Sequence, residues 1–108
     1  MKKFSTGEYP PSWTKEFRDE FKAARGNKCE RCGHPHDPVN GYTLTIHHLD
    51  NVKNNCESWN LAALCQRCHL TIQGKVDMEQ GWLLEHSAWM QPHVDGMIRF
   101  YAVKRATQ

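Results

Sequence analysis

Two Cys-x-x-Cys motifs place the tightest limit on how this chain can fold. They begin at Cys29 and Cys65, and 32 residues separate one motif from the other. The two-residue gap inside each motif lets both of its sulfurs reach one tetrahedral metal ion, and four thiolates fill the coordination shell of a structural zinc. The separation requires a folded insert that brings the two motifs together. The zinc ligands that this pattern predicts are Cys29, Cys32, Cys65 and Cys68.

The length and the charge of the chain favour one small domain and leave its partner open. The 108 residues fit a single domain, and a structural zinc would add stability to its modest core. No apolar run approaches the roughly 18 residues of a membrane span, and the start "MKKFSTGEYPPSW" lacks the run of about 7 to 15 apolar residues in a signal peptide. We therefore expect a cytoplasmic protein with no membrane association, where thiols stay reduced. The net charge of +2 permits DNA binding without requiring it.

The first part of the chain predicts a flexible arm followed by a helix. Residues 1–11 form the arm, which ends in two prolines. Residues 12–26 are expected to be helical, because Ser12 can cap the start and Gly26 can end the last turn. We expect the aromatic stripe of this helix to pack on the core rather than to stack on nucleic-acid bases. The stripe is spaced at i, i+4 and i+8 and consists of Trp13, Phe17 and Phe21.

The middle of the chain predicts a β-hairpin followed by a helix. Residues 42–49 are rich in β-branched and aromatic side chains with apolar residues in alternation, which is typical of a half-buried strand. Residues 60–65 can return as a second strand. A helical pattern then begins at Gln66 and runs until Gly74. With the zinc ligands, these elements form the expected core over residues 29–75.

The last part of the chain predicts a helical extension over residues 76–108. Pro92 either kinks this segment or starts its last helix. The overall expectation is an α+β fold, a single domain over residues 12–108 with helices on both sides of its core. The apolar face that we expect along the extension consists of Met90, Val94, Met97, Ile98 and Tyr101, and we expect Trp82 and Trp89 to pack there as well.

Three histidines remain outside the predicted zinc shell: His47, His48 and His69. On a helix, His69 points about 100° away from Cys68, so a sulfur aimed at the zinc sends the imidazole toward the insert. In a regular strand His47 and His48 face opposite sides, and the pleat must relax near His48 for both to reach one phosphate. Taken singly, each histidine is a packing or surface residue by default, but their order relative to the cysteines favours a second site.

With those residues in place, the segment from Cys29 to about Lys75 resembles the HNH endonuclease family, the ββα-metal nucleases, in its zinc-stabilised form. The resemblance depends on "CERC", "TIHHLDNVKNN" and "WNLAALCQRCH". It is closest to the small stand-alone HNH proteins of phages and prophages, and it covers under half of the chain. It implies a ββα-metal core and a DNA substrate.

The resemblance also implies a role for individual residues. His48 would be the general base that activates a water, and His47 and His69 would hold a catalytic divalent cation, which would be magnesium, manganese or nickel. Asn60 would hold the loop around the base through its carboxamide. Some family members have a further metal ligand where this chain has Gln73, a poor ligand, so we expect two histidines alone to hold the cation.

The expected function is therefore a metal-dependent DNA endonuclease or nicking enzyme, acting as a monomer or weak dimer. Phosphodiester hydrolysis needs a base with a near-neutral pKa and positive charge for the developing oxyanion, and an imidazole and a bound cation supply these. DNA is the expected partner, and another phage or host protein is a further candidate for targeting. The basic residues that we name as candidate DNA contacts are Lys53, Arg67 and Lys75.

Several alternatives stay open at the level of sequence. A zinc-structured DNA-binding or protein-interaction module without hydrolysis is the alternative from another class, and a nuclease that acts on RNA is a weaker one. His34 and His36 could replace a cysteine as zinc ligand, although we expect them in a solvated loop. Cys56 has no partner in spacing. We expect the remaining histidines, His86 and His93, on the surface.

Overall fold

The protein has an α+β fold, as expected. The computed structural model describes residues 8–72 and 87–106, and in these ranges it contains a two-stranded antiparallel sheet and three α-helices. None of the helices in these ranges is long and apolar enough to cross a membrane. The elements are α1 (Lys15–Ala24), β1 (Leu44–His48), β2 (Leu61–Cys65), α2 (Gln66–Ile72) and α3 (Gln91–Ala106), with short 3-10 turns at Pro38–Asn40 and Ser58–Asn60.

Helix α1 starts at Lys15, three residues after the start of the predicted range of 12–26. Its N-terminal cap is Thr14 rather than Ser12, because the Thr14 hydroxyl accepts a hydrogen bond from the backbone N–H of Phe17 at 3.1 Å. It ends at Ala24, and Gly26 then takes a left-handed φ of 83°, a conformation that glycine adopts without strain. No residue of α1 is fully buried. Its aromatic stripe is therefore only half covered, which is less burial than core packing predicts.

Strands β1 and β2 form a regular hairpin that leads directly into α2. His47 pairs with Ala62 and His48 pairs with Leu61, and the backbone N–H of Leu49 continues the ladder to the carbonyl of Asn60 at 2.8 Å. The expected relaxation of the pleat near His48 is therefore not seen. Residues 42, 43 and 49 were predicted to be in β1 but flank it, and Gly74, the predicted end of α2, lies outside the described residues.

Helix α3 packs against the 3-10 turn at Ser58–Asn60, which lies between β1 and β2. Pro92 is its second residue, so the proline starts the helix and does not kink it. Met90 is buried, and Val94 and Met97 pack against the core cluster. The predicted apolar face was wrong in two positions, because Ile98 and Tyr101 are 55% and 41% exposed.

His93 anchors α3 to the core, so its predicted surface position was wrong. The residue is 3% exposed. One ring nitrogen lies 2.8 Å from the carbonyl oxygen of Trp59, and the other lies 2.9 Å from a carboxylate oxygen of Glu30. Close approach is possible because residue 96 is glycine: a Cβ there would lie 2.7 Å from the Cβ of Trp59. His86 lies outside the described residues.

Candidate functional site

The four predicted zinc ligands lie together. Their sulfur atoms are all within 4.8 Å of one another, and Sγ of Cys32 is 3.8 Å from Sγ of Cys65. A tetrahedral zinc with Zn–S bonds of about 2.3 Å requires sulfurs about 3.8 Å apart, so the geometry fits. The cluster is placed to hold a metal ion such as zinc, and it is the one group of three or more such ligands in the described residues. Its members are Cys29, Cys32, Cys65 and Cys68.

Backbone and side-chain donors surround these sulfurs. The N–H of Cys32 points at Sγ of Cys29, and the N–H of Cys68 points at Sγ of Cys65, each at 3.4 Å. Burial opposes ionisation of Cys29, but backbone N–H groups outweigh it and lower the pKa of this thiol to about 7. Burial and the neighbouring sulfurs raise the pKa of Cys68 to about 12. A bound cation is therefore needed to deprotonate the whole set near neutral pH.

The histidines beside the first motif are not part of the cluster. Nδ1 of His36 accepts the backbone N–H of Leu44 at 2.9 Å. The ring of His34 stacks on Tyr42 with ring centroids 3.6 Å apart, and its Nδ1 lies against the carbonyl of Pro35. Both rings brace the loop between the first motif and β1, so neither replaces a cysteine.

A second cluster of imidazoles lies on the face of β1 that packs against α2. The ring centroids of His47 and His69 are 4.5 Å apart. His47 is 4% exposed, and its Nε2 is buried with no hydrogen-bond partner among the described residues. Burial, together with the nearby His69 and His48, lowers the pKa of His47 to about 3. The ring is therefore neutral at pH 7, and one buried nitrogen is without a partner.

The tautomer of His69 follows from its contact with Thr45. The Thr45 hydroxyl donates its proton to the carbonyl oxygen of Leu64 at 2.7 Å. At 3.0 Å from Nδ1 of His69 the same oxygen can only accept, so Nδ1 carries the ring proton. Burial lowers the pKa of His69, which keeps the ring neutral. Its Nε2 therefore has a free lone pair, the arrangement of a metal ligand oriented by an outer hydrogen bond.

His48 faces the opposite side of β1, as alternation along a strand requires. The ring of Trp13 lies 5.0 Å from it between centroids, and Sγ of Cys56 lies 3.8 Å from its Nε2. Burial lowers the pKa of His48, and the carboxylate of Asp50 and the backbone of Lys53 partly offset this. The imidazole is therefore neutral at pH 7 and can accept a proton.

Asn60 closes the loop that follows β1. The residue is completely buried. Its Oδ1 accepts the backbone N–H of Asp50 at 2.9 Å, and its Nδ2 donates to the carboxylate of Asp50 and to the carbonyl of Asn55, each at 2.8 Å. Because the same loop carries the Lys53 backbone that interacts with His48, the carboxamide fixes the surroundings of that ring.

The candidate DNA contacts differ in the residues that they already contact within the chain. Lys53 lies beside His48, with its ammonium 5.1 Å from the ring centroid of Tyr9. The guanidinium of Arg67 donates to the carbonyl of Asn40 at 3.1 Å and lies 4.4 Å over the ring of Tyr42. Arg67 therefore braces a turn of its own chain. Lys75 lies outside the described residues.

Sequence reasoning missed three residues that contact the imidazoles: Tyr9, Thr45 and Cys56. Thr45 precedes His47 by two positions, so strand periodicity places both on one face and could have identified it. Cys56 and Tyr9 reach His48 only through the tertiary fold, and no spacing pattern marks either of them.

Comparison with known proteins identifies no matching family model, no similar curated protein and no similar solved structure. The residues of the two clusters are therefore what supports a function.

Proposed function

We propose that the protein is a metal-dependent DNA endonuclease or nicking enzyme of the HNH type, with a ββα-metal core over residues 29–75. The observation that supports this most is the pair of neutral imidazoles of His47 and His69. It lies apart from the four sulfurs. His48 is the next residue of β1 and faces the opposite side of the strand, so in this proposal the end of β1 opens when DNA binds and both sites reach one phosphate. A structural site and a reactive site in one small domain are what a zinc-stabilised nuclease requires.

The donor atoms fit a transition-metal ion held between β1 and α2. Nε2 of His47 is buried and without a partner, and Nε2 of His69 has a free lone pair. Imidazole nitrogens suit nickel or zinc better than magnesium or manganese, which prefer oxygen ligands, so we expect nickel to support more activity than the other two cations. When bound there, the cation supplies positive charge for the scissile phosphate and the leaving 3′-oxygen.

His48 is the general base in this proposal. A neutral ring takes a proton from the water that attacks phosphorus, and the protonated ring is then stabilised by the carboxylate of Asp50, which already raises its pKa. His48 is 6% exposed, and a base needs contact with only one water. The products would carry 5′-phosphate and 3′-hydroxyl ends.

Asn60 is a positioning residue in this mechanism. Its three hydrogen bonds hold the loop from Asp50 to Asn55, and that loop places the Lys53 backbone against His48. The hydrogen bond from the loop favours one orientation of the ring. One centre of this kind cuts one strand, so a double-strand break would require two copies or two encounters.

A zinc-structured binding module without hydrolysis is the second candidate. One observation favours it: the four sulfurs form a complete ligand set, while the imidazoles offer only two protein ligands. Such a module would bind DNA or a protein partner through a surface that the zinc holds in shape.

A plasmid-nicking assay separates the two candidates. Zinc-loaded protein is incubated with supercoiled plasmid and magnesium, manganese or nickel, and wild type is compared with His48→Ala. General-base catalysis is worth about 100- to 10,000-fold, so the variant should nick slower by that factor. His34→Ala is the matched control, because this ring lies against Tyr42, away from the imidazoles, and it should nick at the wild-type rate.

Each outcome of the assay has a definite meaning. Equal nicking by wild type and His48→Ala would contradict the assignment of the base. No nicking by zinc-loaded wild type with any of the three cations would favour the binding module. Offering single-stranded RNA in parallel identifies a nuclease that acts on RNA instead.

A further inference from the structure

An aromatic stack lies against His48 and is partly exposed to solvent. The rings of Tyr9 and Trp13 are parallel within 8°, with centroids 5.0 Å apart. Both rings also contact His48, at centroid distances of 5.0 Å for Trp13 and 5.8 Å for Tyr9. Tyr9 is 49% exposed. The stack therefore lies between the solvent and His48, the proposed general base.

This stack is not part of the hydrophobic core. Neither Tyr9 nor Trp13 belongs to the core cluster or to the partly buried side chains packed against it, and α1, which follows the stack, has no buried residue. An exposed aromatic face next to a reactive centre does little for folding. Such a face suits the base of an unpaired nucleotide, because every base has a π-face.

A positive charge accompanies the stack. The ammonium of Lys53 lies over the ring of Tyr9, 5.1 Å from its centroid, so a base that stacks on this ring displaces the ammonium toward the adjoining phosphate. Lys53 belongs to the loop that Asn60 holds in place, so the charge stays near His48. A nucleotide has a base that can stack on an aromatic ring and a phosphate that a lysine can contact, so an aromatic ring and a lysine close together match a nucleotide.

We propose that Tyr9 and Trp13 form a platform that holds an unpaired DNA base next to the phosphate at His48, with Lys53 on the adjoining backbone. Consecutive nucleotides of a strand rise about 3.4 Å, so a base on Tyr9 lies one or two nucleotides from that phosphate. In a duplex the faces of the bases are covered by their neighbours. The preferred substrate is therefore DNA with an unpaired segment. This inference rests on the proposed endonuclease function.

Binding without cutting tests the platform. Full-length zinc-loaded protein, with no added catalytic cation, is titrated against a fluorescent single strand of about 12 nucleotides, a length within the site sizes of single-strand binders. A blunt duplex of the same sequence is titrated in parallel. Loss of one base stack should weaken single-strand binding by Tyr9→Ala about 5- to 150-fold, with duplex binding unchanged. Tyr9→Phe should bind as wild type.

Three further variants isolate the cause. Tyr9→Leu keeps apolar bulk without a π-face and should lose as much affinity as the alanine variant. Tyr101→Ala removes another exposed tyrosine, on α3, and should have no effect. Lys53→Ala should reduce the slope of log affinity against log salt for the single strand by about 0.7, whereas Tyr9→Ala should leave this slope unchanged.

The platform is overturned if Tyr9→Ala or Tyr9→Leu binds the single strand as tightly as wild type, or if the duplex loses equally. If Tyr9→Ala does not fold, judged by zinc content and melting, the comparison of the leucine and phenylalanine variants decides. If no polymer is cut but Tyr9→Ala still loses single-strand affinity, the endonuclease proposal fails and the platform stands. If plasmid is nicked but all Tyr9 variants bind alike, only the platform fails.

Discussion

Cys68 and His69 are neighbours on α2, yet each belongs to a different cluster. Sγ of Cys68 lies among the four sulfurs, and the ring of His69 lies against His47 on β1. The sulfurs come from two segments far apart in sequence, whereas the imidazoles come from elements that the hairpin already connects. Without the sulfur cluster, the two distant segments that carry the cysteines would no longer be held together. Without the imidazole pair, β1 and α2 would still be connected through the hairpin. We expect the first cluster to determine stability and the second to determine activity.

The two clusters also differ in charge. The thiols ionise unevenly, since the pKa of Cys29 is lowered to about 7 and that of Cys68 is raised to about 12. The imidazoles of His47 and His69 are neutral without any ion, because burial lowers the pKa of both. The sulfur cluster therefore needs a cation to reach its ligand form, and the imidazole cluster is in ligand form already.

The largest predicted effect is the loss of the fold when the sulfur cluster is broken. Structural zinc is worth about 10–16 kcal/mol in zinc-finger peptides, which is comparable with the whole net stability of a domain, about 5–15 kcal/mol. Cys68→Ser should therefore lose zinc and its cooperative thermal transition. Metal content and circular dichroism measure both.

Cys56→Ser is the matched control, because Cys56 is the one cysteine outside the cluster. It should keep one zinc per chain and melt within a few degrees of wild type. A zinc-free protein that still unfolds cooperatively would show that the sulfurs do not hold the fold together.

The next effect separates activity from stability. His69→Ala should keep zinc and melt near wild type, but it should nick at least about 100-fold more slowly, because charge stabilisation by a metal ion is worth several kcal/mol and each 1.36 kcal/mol is tenfold in rate. Plasmid nicking at saturating nickel measures the rate. Loss of zinc from this variant would mean that the two clusters are not independent.

Local patterns predicted the hairpin and the start of α2, because each depends on spacing within a few residues. The grouping of the four cysteines was predicted from two matched motifs and the ligand number of zinc, which together require the distant segments to meet. Helix ends were less accurate: Thr14 and Ser12 are both good caps, and only the tertiary path of the chain selects Thr14. The buried position of His93 was missed because its partner Glu30 lies 63 positions away. A lone histidine carries no local signal for such a contact.

The second cluster was predicted from the direction of His69 on its helix and the order of the histidines, and the family resemblance added the metal-ligand roles. Thr45 was not predicted. Alternation along β1 places Thr45 and His47 on one face, but only the packing of α2 places His69 there too. The aromatic stack was beyond sequence reasoning, because the stripe of α1 was expected to enter the core. In the folded chain Trp13 instead lies between Tyr9 and His48.

A smaller effect is predicted for Thr45→Val, which keeps the shape of the side chain and removes its hydroxyl. His69 then loses the acceptor that fixes its proton on Nδ1, so the tautomer with a free Nε2 is no longer favoured. Outer hydrogen bonds of this kind are worth about 10- to 100-fold in metal affinity. The nickel concentration that gives half-maximal nicking should rise by that factor while the maximal rate stays near wild type. An unchanged nickel dependence would remove Thr45 from the site.

The smallest effect is the pH dependence of stability that the neutral ring of His47 contributes. The pKa of His47 is about 3 in the folded chain, against an ordinary histidine value of 6.5, so the unfolded chain binds more protons between these values. The stability that the neutral ring contributes is complete above pH 6.5 and falls as the pH decreases toward 3.

At pH 5.5 the loss relative to pH 7.5 is about 1.4 kcal/mol. Urea unfolding at the two pH values should show a loss that is larger by this amount in wild type than in His47→Ala, since acid weakening of the sulfur cluster and titration of the other histidines are common to both proteins. Equal losses would mean that His47 is not held neutral, and the imidazoles would then lack the property that distinguishes them from the thiols.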